Sequence, residues 1–179
     1  MPPPPKNRDL YAATIKMFGS EPSPAFETRE RQLKDWGREW GCDNDVGQIQ
    51  MVLMHRPGDE FNIIDPSKKI EEIGSYGDLE AGWYWQSEEI PALVELQAQH
   101  DHLADTLRAE GVEVVYLDQV KDGQFKSVYT RDSSFAIKGG AIVSRMAPRM
   151  RQGEEQVVTR TLANLGMPIL RTITGEGMI

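Results

Sequence analysis

The sequence predicts an α/β fold made of repeated helix-then-strand units. Three observations predict it. Two helical patterns, 91–110 and 153–165, each lead through a glycine into a β-rich run, 112–117 and 168–171. Two short apolar runs, 134–137 and 141–144, flank Lys138-Gly139-Gly140, which reads as a hairpin. Residues 47–55 begin with alternation and become continuously apolar, the pattern of a strand buried on both faces near its end.

In chain order, Pro2 to Pro5 form a polyproline start that reads as extended and poorly ordered. Residues 10–18 fit a short helix and 19–24 a loop. Over 28–40, Leu33, Trp36 and Trp40 recur at spacings of three and four, which predicts an amphipathic helix. Residues 1–40 thus form an N-terminal extension, and 41–179 the main unit. Arg56-Pro57-Gly58 stops the first strand. Residues 62–86 mix Pro66, Gly74, Gly77 and Gly82 with Tyr76, Trp83, Tyr84 and Trp85. They read either as an irregular lid or binding loop or as a surface excursion whose aromatics fill a gap. Pro91 fits a first helical turn and Gly111 a C-cap, with Leu93, Leu96, Leu103 and Leu107 as the apolar stripe. His100 and His102 lie two apart on this helix, so they face different sides and predict solvated surface, not a metal pair. Val157, Val158, Leu162 and Leu165 give the second helix its apolar side.

Composition bounds the function. The chain has 179 residues, 39% hydrophobic and 27% charged, enough for one domain with a core. A formal charge of −8 argues against nucleic acid or an anionic membrane surface as partner. No apolar run approaches the ~18 residues of a membrane span, and the polyproline start lacks a secretory signal. The single Cys42 excludes an internal disulfide and fits a reducing compartment, with the cytoplasm as the expected location. No metal-ligand cluster or phosphate loop is present, and no cofactor is implied.

The hairpin carries the charges that point to chemistry. Arg131 and Asp132 stand at its mouth, and Arg145, Arg149 and Arg151 follow its exit. One carboxylate facing several guanidinium groups suits a small cationic substrate that also bears a carboxylate. Asp132 would hold the cation and an arginine the acid, with the bidentate geometry Arg gives carboxylates. The alternative is that Asp132 pairs with Arg131 or Arg145 as an ordinary surface salt bridge.

Three stretches resemble the guanidine-modifying enzyme superfamily, which includes arginine deiminases, dimethylarginine dimethylaminohydrolases, agmatine deiminases and amidinotransferases. Residues 45–58, ending His55-Arg56-Pro57-Gly58, look like the family's opening strand. Tyr129-Thr130-Arg131-Asp132-Ser133-Ser134-Phe135 is similar to its segment with Arg-Asp followed by Phe. Residues 145–155 are similar to the arginine-rich stretch after its hairpin. The resemblance covers 41–179. It implies a partial five-bladed α/β propeller of two to three ββαβ-type units, with the site near the propeller axis. It implies that Asp132 binds a guanidinium and that Arg151 meets a substrate carboxylate, with Arg131 in a variable position. Lys126 stands where dimethylaminohydrolases carry an acid that touches substrate.

Catalysis in the superfamily needs a nucleophilic Cys and a His. The family's corresponding acidic, glycine-rich segment would follow Gly175-Glu176-Gly177, so neither residue is expected in this chain. Cys42 precedes the first strand, and His55 reads as structural. The chain alone is expected to be inactive: an N-terminal half or subunit of a hydrolase acting on a C–N bond of an arginine-like compound. A second polypeptide or segment would carry the Cys and His, with a higher oligomer possible. An amidinotransferase subunit and a non-catalytic binding or interaction fragment are the alternatives.

Overall fold

A computed structural model describes residues 7–19 and 22–179. The polyproline start lies outside these. The described residues form an α/β arrangement of three small sheets and five helices, with no closed barrel.

Helix α1 (Asn7–Phe18) and helix α2 (Arg29–Trp36) lead the chain. The helix expected over 28–40 stops at Trp36, because Gly37 turns left-handed at φ 74°. Trp40 therefore leaves the helix and is buried, while Leu33 and Trp36 remain largely exposed. The turn carries the chain over the tip of the hairpin. There the Gly139 amide donates to the Trp40 carbonyl at 2.9 Å. Gly41 sits at φ 104°, and a Cβ on it would overlap the Ile137 carbonyl. Only glycine fits that crossing.

Strand β1 (Met51–Met54) is shorter than the run that predicts it. Residues 41–50 are exposed and lack regular structure. After β1, His55 Nε2 lies 2.8 Å from Glu60 Oε1, and that oxygen also accepts the Gly58 amide at 2.8 Å. This lock explains why His55 is structural: it fixes the turn at Arg56-Pro57-Gly58.

The stretch 62–86 is not an irregular loop. It contains β2 (Lys69–Ile70), β3 (Ser75–Asp78) and β4 (Trp83–Trp85) in an antiparallel meander, with Tyr76 opposite Trp85. The glycines that suggested a loop serve the turns: Gly74 and Gly82 both have positive φ. Trp83, Ile64 and Phe125 form a buried cluster beneath the meander, with Phe61, Trp85 and Met150 against it. The excursion is thus pinned to the body by its aromatics.

Helix α3 (Leu93–Ala109) begins after Pro91, not on it. Its inward face is Leu93, Leu96, His100, Ala104 and Leu107, since 96, 100, 104 and 107 follow the helical period. His100 is therefore buried, with its ring 5.6 Å from that of Tyr116, and is not the solvated residue expected. Leu103 faces out. The helix returns the chain to β5 (Glu113–Tyr116), parallel to β1 with Met51 opposite Glu113.

A 3-10 turn over Phe125–Val128 and the one-turn helix α4 (Thr130–Ser133) precede the hairpin β6 (Ser134–Ile137) and β7 (Gly140–Val143). Helix α5 (Glu154–Asn164) then leads to β8 (Ile169–Thr172), parallel to β7. Both parallel pairs are thus bridged by a helix, the repeated unit the sequence predicts. Ala141, Val143, Val158 and Leu162 make the core of the second unit, with Leu53 and Leu117 of the first packed on it. Side-chain bonds join the units, the exposed pairs Lys121–Gln156 and Arg160–Gln119 and two part-buried ones. Thr130 Oγ1 donates to the Leu53 carbonyl at 2.8 Å, and the Asp118 amide donates to Thr161 Oγ1 at 3.0 Å. The first of these places α4, and with it Arg131 and Asp132, at the end of β1. Among the described residues no helix is long and apolar enough to cross a membrane.

Candidate functional site

The hairpin places Asp132 and Arg151 together. The 3-10 turn Arg149–Arg151 follows Pro148 and folds the chain back onto α4. Arg151 Nη1 donates to Asp132 Oδ2 at 2.5 Å. Its Nε and Nη2 grip Glu154, at 3.0 Å to Oε1 and 2.8 Å to Oε2, and Nη2 also donates to the Tyr129 carbonyl at 3.0 Å. About four of the five guanidinium donors are therefore engaged by protein acceptors. Arg151 is 7% exposed and Glu154 3%. Burial pushes the Glu154 carboxyl up from its ordinary value, and the Arg151 guanidinium opposes that rise. The expected pairing of Asp132 with Arg131 or Arg145 is not what forms. The partner is Arg151, because the turn at Pro148 delivers it and Glu154 holds it.

Asp132 itself is anchored by one oxygen. Its side chain stays 48% exposed, and among the described residues Oδ1 has no partner. A carboxylate with one fixed oxygen and one open one is a preorganised acceptor for an N–H cation.

The other arginines go elsewhere. Arg131 is exposed beside Asp132 but lines a separate groove of about 670 Å³, with Trp40, Asn44 and Leu53. Arg145 donates from Nη1 to the Gly175 carbonyl, bracing the segment after β8. Arg149 is exposed and lies over Gly82 of the meander. The guanidinium cluster expected around one carboxylate is thus divided among four places, and Arg151 alone meets Asp132.

A second cleft, about 500 Å³, is lined in part by Arg151. Its lining includes Tyr84, Trp85, Lys126, Tyr129 and Arg151. Lys126 Nζ lies 5.1 Å from the ring centre of Tyr84, 5.2 Å from Phe125, 5.5 Å from Trp85 and 5.8 Å from Tyr129. These are cation–π distances. Burial, and then the charge of Arg151, hold the Lys126 ammonium below its ordinary pKa. The meander residues Tyr84 and Trp85 carry no sequence pattern that assigns them here. Glu154 leaves a faint trace: an acid three residues after Arg151, in the first turn of a helix.

Cys42 is exposed, with its Sγ 2.9 Å from the Asn44 carbonyl. It lines the Arg131 groove and not the Lys126 cleft. Among the described residues no group of three or more His, Cys, Asp or Glu could hold a metal ion.

Comparison with known proteins gives a consistent direction. The arginine deiminase of Oenococcus oeni is 35% identical over 78 residues, 44% of this chain and 16% of that protein. The arginine deiminase of Rhodococcus jostii is 32% identical over 139 residues, 77% of this chain and 30% of that protein. The chain is similar to arginine deiminases. The uncharacterized protein YkgA of Bacillus subtilis is 40% identical over 132 residues, 74% of this chain and 41% of that protein. The chain thus spans less than half the length of these curated relatives. No family model matches it. The matches point to the guanidine-modifying superfamily, at low identity and over part of each relative.

Proposed function

We propose that this chain supplies the guanidinium-binding part of a hydrolase that cleaves a C–N bond in an arginine-like guanidino compound. The observation that carries the reading is the Asp132 carboxylate, fixed through Oδ2 by a buried Arg151–Glu154 pair and open at Oδ1. A guanidinium presents parallel N–H donors, and a carboxylate is their geometric complement. The similarity to arginine deiminases supports the same assignment.

In this reading 41–179 form part of a five-bladed α/β propeller. The nucleophilic Cys and the acid/base His come from a further polypeptide or segment. The Cys thiolate attacks the guanidinium carbon and the leaving amine or ammonia departs with a proton. Water then displaces the sulfur, giving a urea-type product and the free thiol. Asp132 orients the guanidinium and balances its charge during attack. Arg151 positions Asp132, with most of its donors turned inward. Arg131 adjoins Asp132 in the chain, while Arg145 and Arg149 are engaged elsewhere and take no direct part in this reading.

The test begins with protein purified natively from its own cells. A second polypeptide with a reactive Cys is expected to accompany the chain, and the assembly to release ammonia, amine or urea from a guanidino compound. Asp132→Ala in that assembly should abolish turnover while leaving the subunits associated. Full turnover by the Asp132→Ala assembly would exclude the substrate role.

A further inference from the structure

Helix α3 carries a buried lone pair on the wall of an apolar cleft. Leu96, His100, Leu103 and Leu107 recur at spacings of four, three and four, so they share one face of the helix. All four line a cleft of about 470 Å³, with Val52 and Met54 of β1 and the rings of Phe61 and Phe125. His100 is 8% exposed, and its Nε2 is buried with no hydrogen-bond partner among the described residues. The other ring nitrogen decides what Nε2 offers. Nδ1 lies 3.4 Å from Asp101 Oδ1. Hydrogen bonds from Arg56, at 2.8 and 2.9 Å, hold the Asp101 carboxyl down to about 2. A carboxylate only accepts, so Nδ1 carries the proton and Nε2 of the neutral ring is an acceptor. A buried acceptor without a donor is unfavourable, and a bound donor relieves it.

The charge of the cleft narrows the donor. No carboxylate lines it among the described residues, and the Lys126 ammonium does, so a cation is disfavoured. The other polar side chains there are committed or wet. His55 is bonded to Glu60 and Thr130 Oγ1 to the Leu53 carbonyl, while Gln99 and Tyr129 are exposed.

We infer that this cleft binds an uncharged phenol, with its ring among the leucines and its O–H donated to His100 Nε2. A phenol joins an apolar body to one strong donor, and the rings of Phe61 and Phe125 suit edge or offset contact with it. The volume falls within the range of small-molecule sites. Leu103, three residues from His100 and 52% exposed, has room to swing aside and admit the O–H. Asp132 is not part of the lining. The cleft takes a neutral molecule where Asp132 is proposed to take a cation, so the two readings stand or fall separately.

The full chain, labelled with ¹⁵N at histidine, would be titrated with phenol and with toluene at about pH 8, above the ordinary histidine pKa of about 6.5. The His100 Nε2 resonance, assigned by its absence in His100→Phe, should shift with phenol and stay still with toluene. Native protein should also show cross-relaxation between the phenol ring protons and the Leu103 methyl groups. His100→Phe removes the acceptor and keeps a ring, so its thermal midpoint should not fall. It should weaken phenol by roughly fivefold, the size of one neutral hydrogen bond, and leave toluene unchanged. An Nε2 resonance unmoved by phenol, no cross-relaxation to Leu103, or equal loss for phenol and toluene would overturn the site. Where the variant does not fold, the Leu103 cross-relaxation alone decides.

Discussion

Arg151→Met should cost about 3–5 kcal/mol of stability, the range for removing one partner of a buried ion pair. The loss comes from Glu154, which is 3% exposed and depends on Nε and Nη2 of Arg151 for its compensation. Asp132 contributes less, because half of it is already in water. Two further measurements separate this cause from lost packing. Arg151→Met with Glu154→Met should recover much of the stability, since the stranded carboxylate is gone. Acid should also rescue the single variant in part. Burial raises the Glu154 carboxyl above its unfolded value, and removing Arg151 removes the opposing influence. The folded state then takes up the proton more readily than the unfolded chain. Stability of Arg151→Met is therefore greatest below the unfolded carboxylate pKa of about 4.3 and falls as pH rises through the raised folded value. Denaturant unfolding at several pH values reads this directly.

Phe125→Ala should cost about 3–5 kcal/mol, the usual range for emptying a large aromatic site. Phe125 is 1% exposed and meets Phe61 and Trp85 at centroid distances of 5.7 and 6.2 Å. It joins the meander to the 3-10 turn that carries Lys126. Thermal unfolding should shift by roughly 2–4 °C per kcal/mol for a chain this size. The consequence reaches the cleft, since Phe125 is one of the four rings around Lys126. Phe125→Leu keeps the apolar volume closer to native and should cost markedly less. Equal losses for Leu and Ala would show that the ring contacts, not the filled space, hold the meander in place.

Much of the frame was legible in the sequence because local signals and tertiary structure agreed. The Lys138-Gly139 turn, the two helices after Pro91 and Gly153, and the strands after them all follow from period and punctuation. Disagreements arose where tertiary contacts decided the outcome. The tryptophan spacing over 28–40 mimicked one helix, but Gly37 broke it and sent Trp40 across the hairpin. Glycines at 74 and 82 looked like loop residues, yet they are the corners of a meander whose strands are too short for a clear alternation. His100 looked like surface because it is polar, while its helical phase with Leu96 and Ala104 put it inside. At the candidate site, Asp132 and Arg151 were readable as charges flanking a hairpin. The direction of each side chain was not. Sequence order gives Arg131 and Arg145 as the nearest partners of Asp132, but the fold at Pro148 delivers Arg151 instead. Lys126 and the meander aromatics meet only through packing between segments far apart in the chain.

The central claim is that Asp132 binds a guanidinium, and calorimetric titration of the full chain with 4-guanidinobutyrate tests it most directly. Native protein should bind, and Asp132→Asn should weaken binding by about 2 kcal/mol or more, the lower bound for removing one charge of a hydrogen-bonded pair, or roughly thirtyfold. Equal affinity of native and Asp132→Asn protein for the guanidino acid would contradict the account.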